Sequence, residues 1–153
     1  MTENTPKQQF AIQRVYLKDL SFESPLGARA FGQKQQPTMN QELNTKIEKI
    51  QDDHYEVTLA ITLTSKIEDQ TVFLVEIQQA GLFLISGIAE VQLPKLLNTV
   101  CPNILLPYAR EAIDSTLIKG TFSPVMLSPI NFEALYADAV KKRKEEQGNE
   151  QTH

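Results

Sequence analysis

The chain is poor in the residues that carry most enzyme chemistry. Its 153 residues include one cysteine, Cys101, and two histidines, His54 and His153. A lone cysteine excludes an intrachain disulfide framework and suits a reducing compartment. So few thiol and imidazole groups leave a structural zinc site without a ligand set. A Cys101–His54 nucleophile pair has no evident third group to activate it. Gly81 and Gly87 stand six apart without the lysine and hydroxyl that a phosphate-binding loop requires. The expectation is a protein that is not an enzyme and has no cofactor or metal of its own.

Long apolar runs are missing too. The N-terminal MTENTPKQQ has neither the basic start nor the apolar stretch of a signal peptide. Elsewhere Glu76, Gln78, Gln79 or prolines interrupt the apolar segments before the roughly 20 residues that a membrane span needs. The formal charge of −4 gives no basic footprint for nucleic acid. With no internal repeat and a length of about one domain, a single soluble, cytoplasmic domain is expected. Residues 1–9 and 141–153 are polar and without apolar period, and are expected to be flexible ends around a domain at 10–140. The run Lys141, Lys142, Arg143, Lys144 meets Glu145 and Glu146 at once and reads as a solvated helix end.

Between the ends, the patterning is strong. Phe10 to Glu23 alternates with period two, a strand. SPLGARAFGQKQQP follows, with prolines, glycines and no period, and reads as a long connection of the kind that usually carries function. Met39, Leu43 and Ile47 then alternate with Asn40, Glu42, Asn44, Lys46 and Glu48. After a turn at Asp52-Asp53, Tyr55, Val57, Leu59, Ile61, Leu63 and Ile67 oppose Glu56, Thr58, Thr62, Thr64 and Lys66, so the two strands make a hairpin with one dry face. A turn at Glu68-Asp69 leads to a strand over Thr71–Ile85 that is apolar on both faces, which calls for cover from a second subunit. Leu105, Ala109, Ala112, Ile113, Thr116 and Leu117 recur at helical spacing, with Pro102 and Pro107 near the entry and Lys119-Gly120 as exit. A second helix is expected from an Asn131 cap through Phe132, Leu135, Tyr136, Ala139 and Val140, its aromatic stripe inward. Strands followed by helices give an α+β architecture: a four-stranded antiparallel sheet, two C-terminal helices packed on one face, and a long crossover after the first strand. Asp19 and Glu23 share a strand face about 13 Å apart, open to a basic partner.

Four separated segments carry a resemblance to a known family. IQRVYLKDLSFESP (Ile12–Pro25), VEIQQAGLFLISG (Val75–Gly87), CPNILLPYAREAI (Cys101–Ile113), and GTF with SPINFEALY (Gly120–Phe122, Ser128–Tyr136) are similar to the signature stretches of the SecB protein-export chaperones, in that family's order. Gln35 stands where relatives often have tryptophan, Leu106 replaces a common phenylalanine, and GTFSPV shifts a proline. The resemblance implies an ATP-independent chaperone that holds unfolded precursors in a translocation-competent state and delivers them to the SecA motor. It implies a homotetramer built as a dimer of dimers, with Val75, Ile77 and Gln79 at positions linked to tetramer integrity. Asp19, Glu23, Leu74 and Glu76 match the positions that dock SecA through its basic, zinc-bearing tail, the zinc belonging to the partner.

For such a chaperone, a client groove is expected between the crossover and the second helix, lined from among Leu20, Phe22, Leu26, Phe31, Phe132, Leu135 and Tyr136. There an unfolded chain would bury its apolar segments. Competing readings are a SecB-like chaperone of a toxin–antitoxin pair and a small domain binding a hydrophobic ligand. An enzyme built on a buried carboxylate fits poorly, because the apolar faces of the second and third strands contain none.

Overall fold

The computed structural model describes residues 7–150. Four strands form one antiparallel sheet: β1 (Gln9–Glu23), β2 (Thr38–Gln51), β3 (His54–Ile67) and β4 (Gln70–Ser86), in the order β1-β4-β3-β2. β1 and β2 are therefore the two edges, and residues 24–37, with a short 3-10 turn at Gly27–Gly32, cross from one edge to the other. Helices α1 (Leu93–Lys119) and α2 (Phe132–Glu150) follow. This is the expected α+β arrangement. The turns fall at the expected acidic pairs, with Asp53 (φ 60) and Glu68 (φ 56) taking the left-handed backbone. The strand begins at Gln9, paired with Ser86, inside the segment 1–9 that was expected to be flexible; residues 1–6 and 151–153 lie outside the described residues.

The core is the layer between one sheet face and α1. Val57, Leu59, Ile61 and Leu63 from β3 and Val75, Ile77, Phe83 and Ile85 from β4 are buried there. On α1 every fourth residue, Leu97, Cys101, Leu105, Ala109, Ile113 and Leu117, is buried in one row that leans onto the sheet. Gly81 permits the close approach, because a Cβ there would lie 3.0 Å from Leu105 Cδ2 and 2.8 Å from the Phe83 ring. Truncating Leu105 to alanine would cost about 2–5 kcal/mol by the usual cavity penalty.

Three expectations need correction. α1 starts at Leu93, with Pro94 in its first turn, so Pro102 and Pro107 sit inside the helix and not at its entry. A proline removes one backbone donor and crowds the preceding turn, yet burial of the whole row on the sheet outweighs that local cost. α2 runs on through Glu150, where an irregular tail was expected; lysine, glutamate and glutamine are good helix formers and need no apolar stripe to continue a helix already nucleated. The inward stripe of α2 is also weaker than expected, since Phe132 alone is buried and Leu135 is 48% exposed. The predicted cap is present: Asn131 Oδ1 accepts the Ala134 N–H at 3.0 Å.

Candidate functional site

Two register shifts in β1, between Ile12 and Arg14 and between Leu17 and Asp19, decide which of its side chains share a face. Each bulge inserts a residue and resets the alternation. Phe10, Ile12, Val15, Leu17, Leu20 and Phe22 pair with helix-side residues of β4, while Arg14, Tyr16, Asp19, Ser21 and Glu23 pair with residues on the open face. Gln79 supports this shape. It is 4% exposed on the helix side and donates Nε2 to the Tyr16 carbonyl at 3.0 Å.

Asp19, Glu23, Leu74 and Glu76 are brought together on the open sheet face. Asp19 lies opposite Gln78, Ser21 opposite Glu76, and Glu23 opposite Leu74, with Ser21 Oγ donating to Glu76 Oε2 at 3.5 Å. Followed across all four strands, three successive rows read Asp19–Gln78–Ala60–Asn44, Ser21–Glu76–Thr62–Glu42 and Glu23–Leu74–Thr64–Asn40. They hold four carboxylates and no lysine or arginine. Glu42, exposed on β2, is the member that strand-by-strand reading missed; only the sheet register places it in the same row as Glu76, with Thr62 between them.

The neighbouring part of the open face is paired charge. Tyr16 and Lys18 of β1 reach over the small, buried Ala80 of β4 to Glu56 of β3. Tyr16 donates its hydroxyl to one Glu56 oxygen, and Lys18 Nζ meets the other at 2.7 Å. Lys18 and Tyr16 hold the Glu56 carboxyl below its ordinary value. Burial, then the Glu56 hydrogen bond, pushes the Tyr16 phenol up to about 12.

The expected client groove is divided. Phe22 and Phe31 gather on Phe122, with centroid separations of 6.3 and 5.5 Å, and Phe73 joins at 5.1 Å. Next to this cluster lies a groove of about 440 Å³ lined by Pro37, Met39, Ser65, Val72, Phe73, Phe122, Ser123, Pro124 and Val125. Phe132, Leu135 and Tyr136 instead line a separate groove of about 270 Å³ against Leu43, Asn44 and Thr45 of β2. Leu20 is 38% exposed, and Leu26 is half-buried. Phe73 and Phe122 were missed as groove residues. Phe73 follows the strand alternation and reads as plain core, and Phe122 lies in an aperiodic loop.

Val75, Ile77 and Gln79 are 0%, 1% and 4% exposed within one chain. Within one chain they face α1, and the side chains of β4 with the least intrachain cover are those of the row Leu74, Glu76, Gln78, Leu82 and Leu84. That row is also less apolar than the expected two-faced strand, with Glu76 and Gln78 exposed. Cys101 is wholly buried against the sheet, where burial pushes its thiol up to about 12. His54 stands in the β3 row that points away from α1 and bonds the Asp52 carbonyl at 2.7 Å, so the two do not form a nucleophile pair. Among the described residues no cluster of three histidine, cysteine or carboxylate side chains is placed to hold a metal ion, and no helix is long and apolar enough to cross a membrane.

The fold is shared with a solved SecB-like chaperone from Mycobacterium tuberculosis, determined in complex with a ChAD peptide from an antitoxin, at TM-score 0.63 and 16% identity over 79% of this chain and 90% of that one. At that identity the likeness speaks for the α+β architecture alone. A family model described as preprotein translocase subunit SecB matches residues 3–143, and the chain belongs to that family. Among its relatives, the protein-export protein SecB of Hahella chejuensis is 50% identical over 150 residues, covering 96% of this chain and 94% of the relative. That of Marinobacter nauticus is 50% identical over 155 residues, covering 99% and 94%.

Proposed function

We propose that this protein holds unfolded precursor proteins in the cytoplasm and passes them to the SecA motor for export. The observation that carries the reading is the open apolar groove beside Phe122, in a chain of the SecB family. An unfolded segment can bury apolar side chains against Phe73, Phe122 and Val125, while a folded protein has none to offer. Binding the unfolded and not the native state lowers the fraction of client able to fold, which keeps it competent for transport. No step of this holding requires a nucleotide or chemistry on the client. The acidic rows on the opposite sheet face are suited to a basic segment of SecA through long-range attraction. Groove and acids stand on different surfaces, so client and motor can be engaged together. In this reading the protein works as a homotetramer, a dimer of dimers.

The test is refolding of a reduced secretory precursor with and without the protein, joined to native mass measurement of the complex and of its binding to a SecA tail peptide. Slowed refolding and a tetramer bearing client support the reading. A monomer that binds neither ligand overturns it.

A further inference from the structure

The segment from Thr121 to Ile130 joins α1 to α2 and supplies one wall of the Phe122 groove through Phe122, Ser123, Pro124 and Val125. Its own backbone does little to fix that wall. Thr121 (φ 63) and Met126 (φ 54) both sit in the left-handed region, which residues with side chains disfavour, and the segment has no helix or strand ladder. Phe122, Val125, Leu127 and Ile130 pack on the core, and the side-chain hydrogen bonds that fix the backbone come from α1. Asp114 Oδ1 accepts the Val125 N–H at 3.0 Å and the Met126 N–H at 3.2 Å. One turn earlier Arg110 Nε donates to the Leu127 carbonyl at 2.8 Å. Asp114 and Arg110 are half-buried, and neither has a salt bridge among the described residues.

We infer that Asp114 is a positioning residue for client binding, assisted by Arg110: it holds residues 125–127 in the bent form that keeps the wall beside Phe73 and Phe122. The inference rests on the client-holding reading above. Charge-assisted bonds from a carboxylate to backbone N–H groups are among the stronger hydrogen bonds, and here two converge on the strained residue and its neighbour. Without them the left-handed Met126 is held only by the packing of its neighbours Val125 and Leu127 on the core, and the wall relaxes away from the groove. A ligand that needs the wall in place then binds a less populated state, and its apparent affinity falls in proportion.

The experiment compares wild type, Asp114→Ala and Asp114→Asn in binding a reduced, carboxymethylated polypeptide, with amide hydrogen exchange at Val125 and Met126 as the structural readout. Asparagine keeps an acceptor oxygen at the same place and alanine does not. The alanine variant is expected to lose about fivefold or more in affinity, on the scale of one or two hydrogen bonds, with faster exchange at those two amides. The asparagine variant is expected to recover most of the loss. If the alanine variant does not fold, Arg110→Met tests the same tie, since it keeps the aliphatic stem and removes the bond to Leu127. Unchanged affinity in a variant whose amides exchange faster overturns the inference, as does an asparagine variant as weak as the alanine one. A wild-type protein that binds no unfolded polypeptide would instead sink the function itself.

Discussion

Asp19, Glu23, Glu42 and Glu76 gain their meaning from neighbours that are not charged. Across three rows of the open face nothing neutralises them, so their attraction for a basic segment is long-ranged and screened by salt. Replacing both Asp19 and Glu23 by lysine is expected to abolish binding of the SecA tail while leaving suppression of precursor refolding nearly unchanged, because both point away from the core. Titration calorimetry of the two ligands against the variant checks it, and parallel loss of both would refute the separation. Glu56 is different because it is partnered. Its folded value lies below the ordinary carboxylate value, so its contribution is present above that ordinary value, about 4.3, and is lost as pH falls through the folded one. Lys18 is raised by its Glu56 hydrogen bond and Tyr16 by burial and then by Glu56, so their share is present below about pH 10 and is lost as pH rises through the raised folded values. With the Lys18 side chain 42% exposed, the pair is worth under about 1 kcal/mol. Glu56→Gln is therefore expected to lower Tm by less than about 2–4 °C at neutral pH, with the difference from wild type narrowing at an acid pH below the ordinary carboxylate value. Thermal melts at the two pH values decide.

Among the elements, α1 is set by the sheet and α2 by itself. The row from Leu97 to Leu117 is wholly covered, and no local rule favouring a break at Pro102 or Pro107 prevails against it. Beyond Lys141, α2 is helical with every described residue exposed, so it contributes helix without contributing core. Removing everything after Gln147 is expected to shift Tm by less than about 2 °C and to leave client holding intact. Circular dichroism melts and the refolding assay test this, and a large drop in Tm would show that the last turn of α2 is docked.

For the whole molecule, burial separates what stabilises one subunit from what can join several. Val75 is in the intrachain core, so Val75→Asp is expected to unfold the chain, since an unpaired buried carboxylate costs several kcal/mol against a total of about 5–15 kcal/mol. The apolar side chains left uncovered include Ile12 and Leu17 on β1 and Val100 and Tyr108 on α1, each 41–51% exposed. Tyr108→Glu is accordingly expected to leave the secondary structure in place and to weaken the proposed tetramer. Light scattering joined to circular dichroism distinguishes the outcomes: a folded dimer from Val75→Asp would overturn this assignment.

Alternation of period two was enough to find β2, β3 and β4: β3 and β4 each bury one face, which a slip by one residue would reverse, and β2 half-buries Leu43, Thr45 and Ile47. Turn chemistry located both hairpin turns, and the Asn131 cap marked the start of α2. β1 was legible as a strand but not in its facing, since its two bulges shift the phase and leave no mark in composition. The acidic residues could be listed from the sequence, but their assembly with Glu42 depends on pairing between strands distant in the chain. The groove was least legible. Phe73 looks like core, Phe122 looks like loop, and the wall between them stands where it does because Asp114 and Arg110 on α1 hold an aperiodic segment whose sequence specifies no regular structure. The sequence by itself therefore determined the strands, the capped helix and the family, since these rest on local periodicity and residue identity. The tertiary structure alone decided which faces meet, where the prolines lie and what surrounds Phe122, since these depend on long-range packing that outweighs local preference.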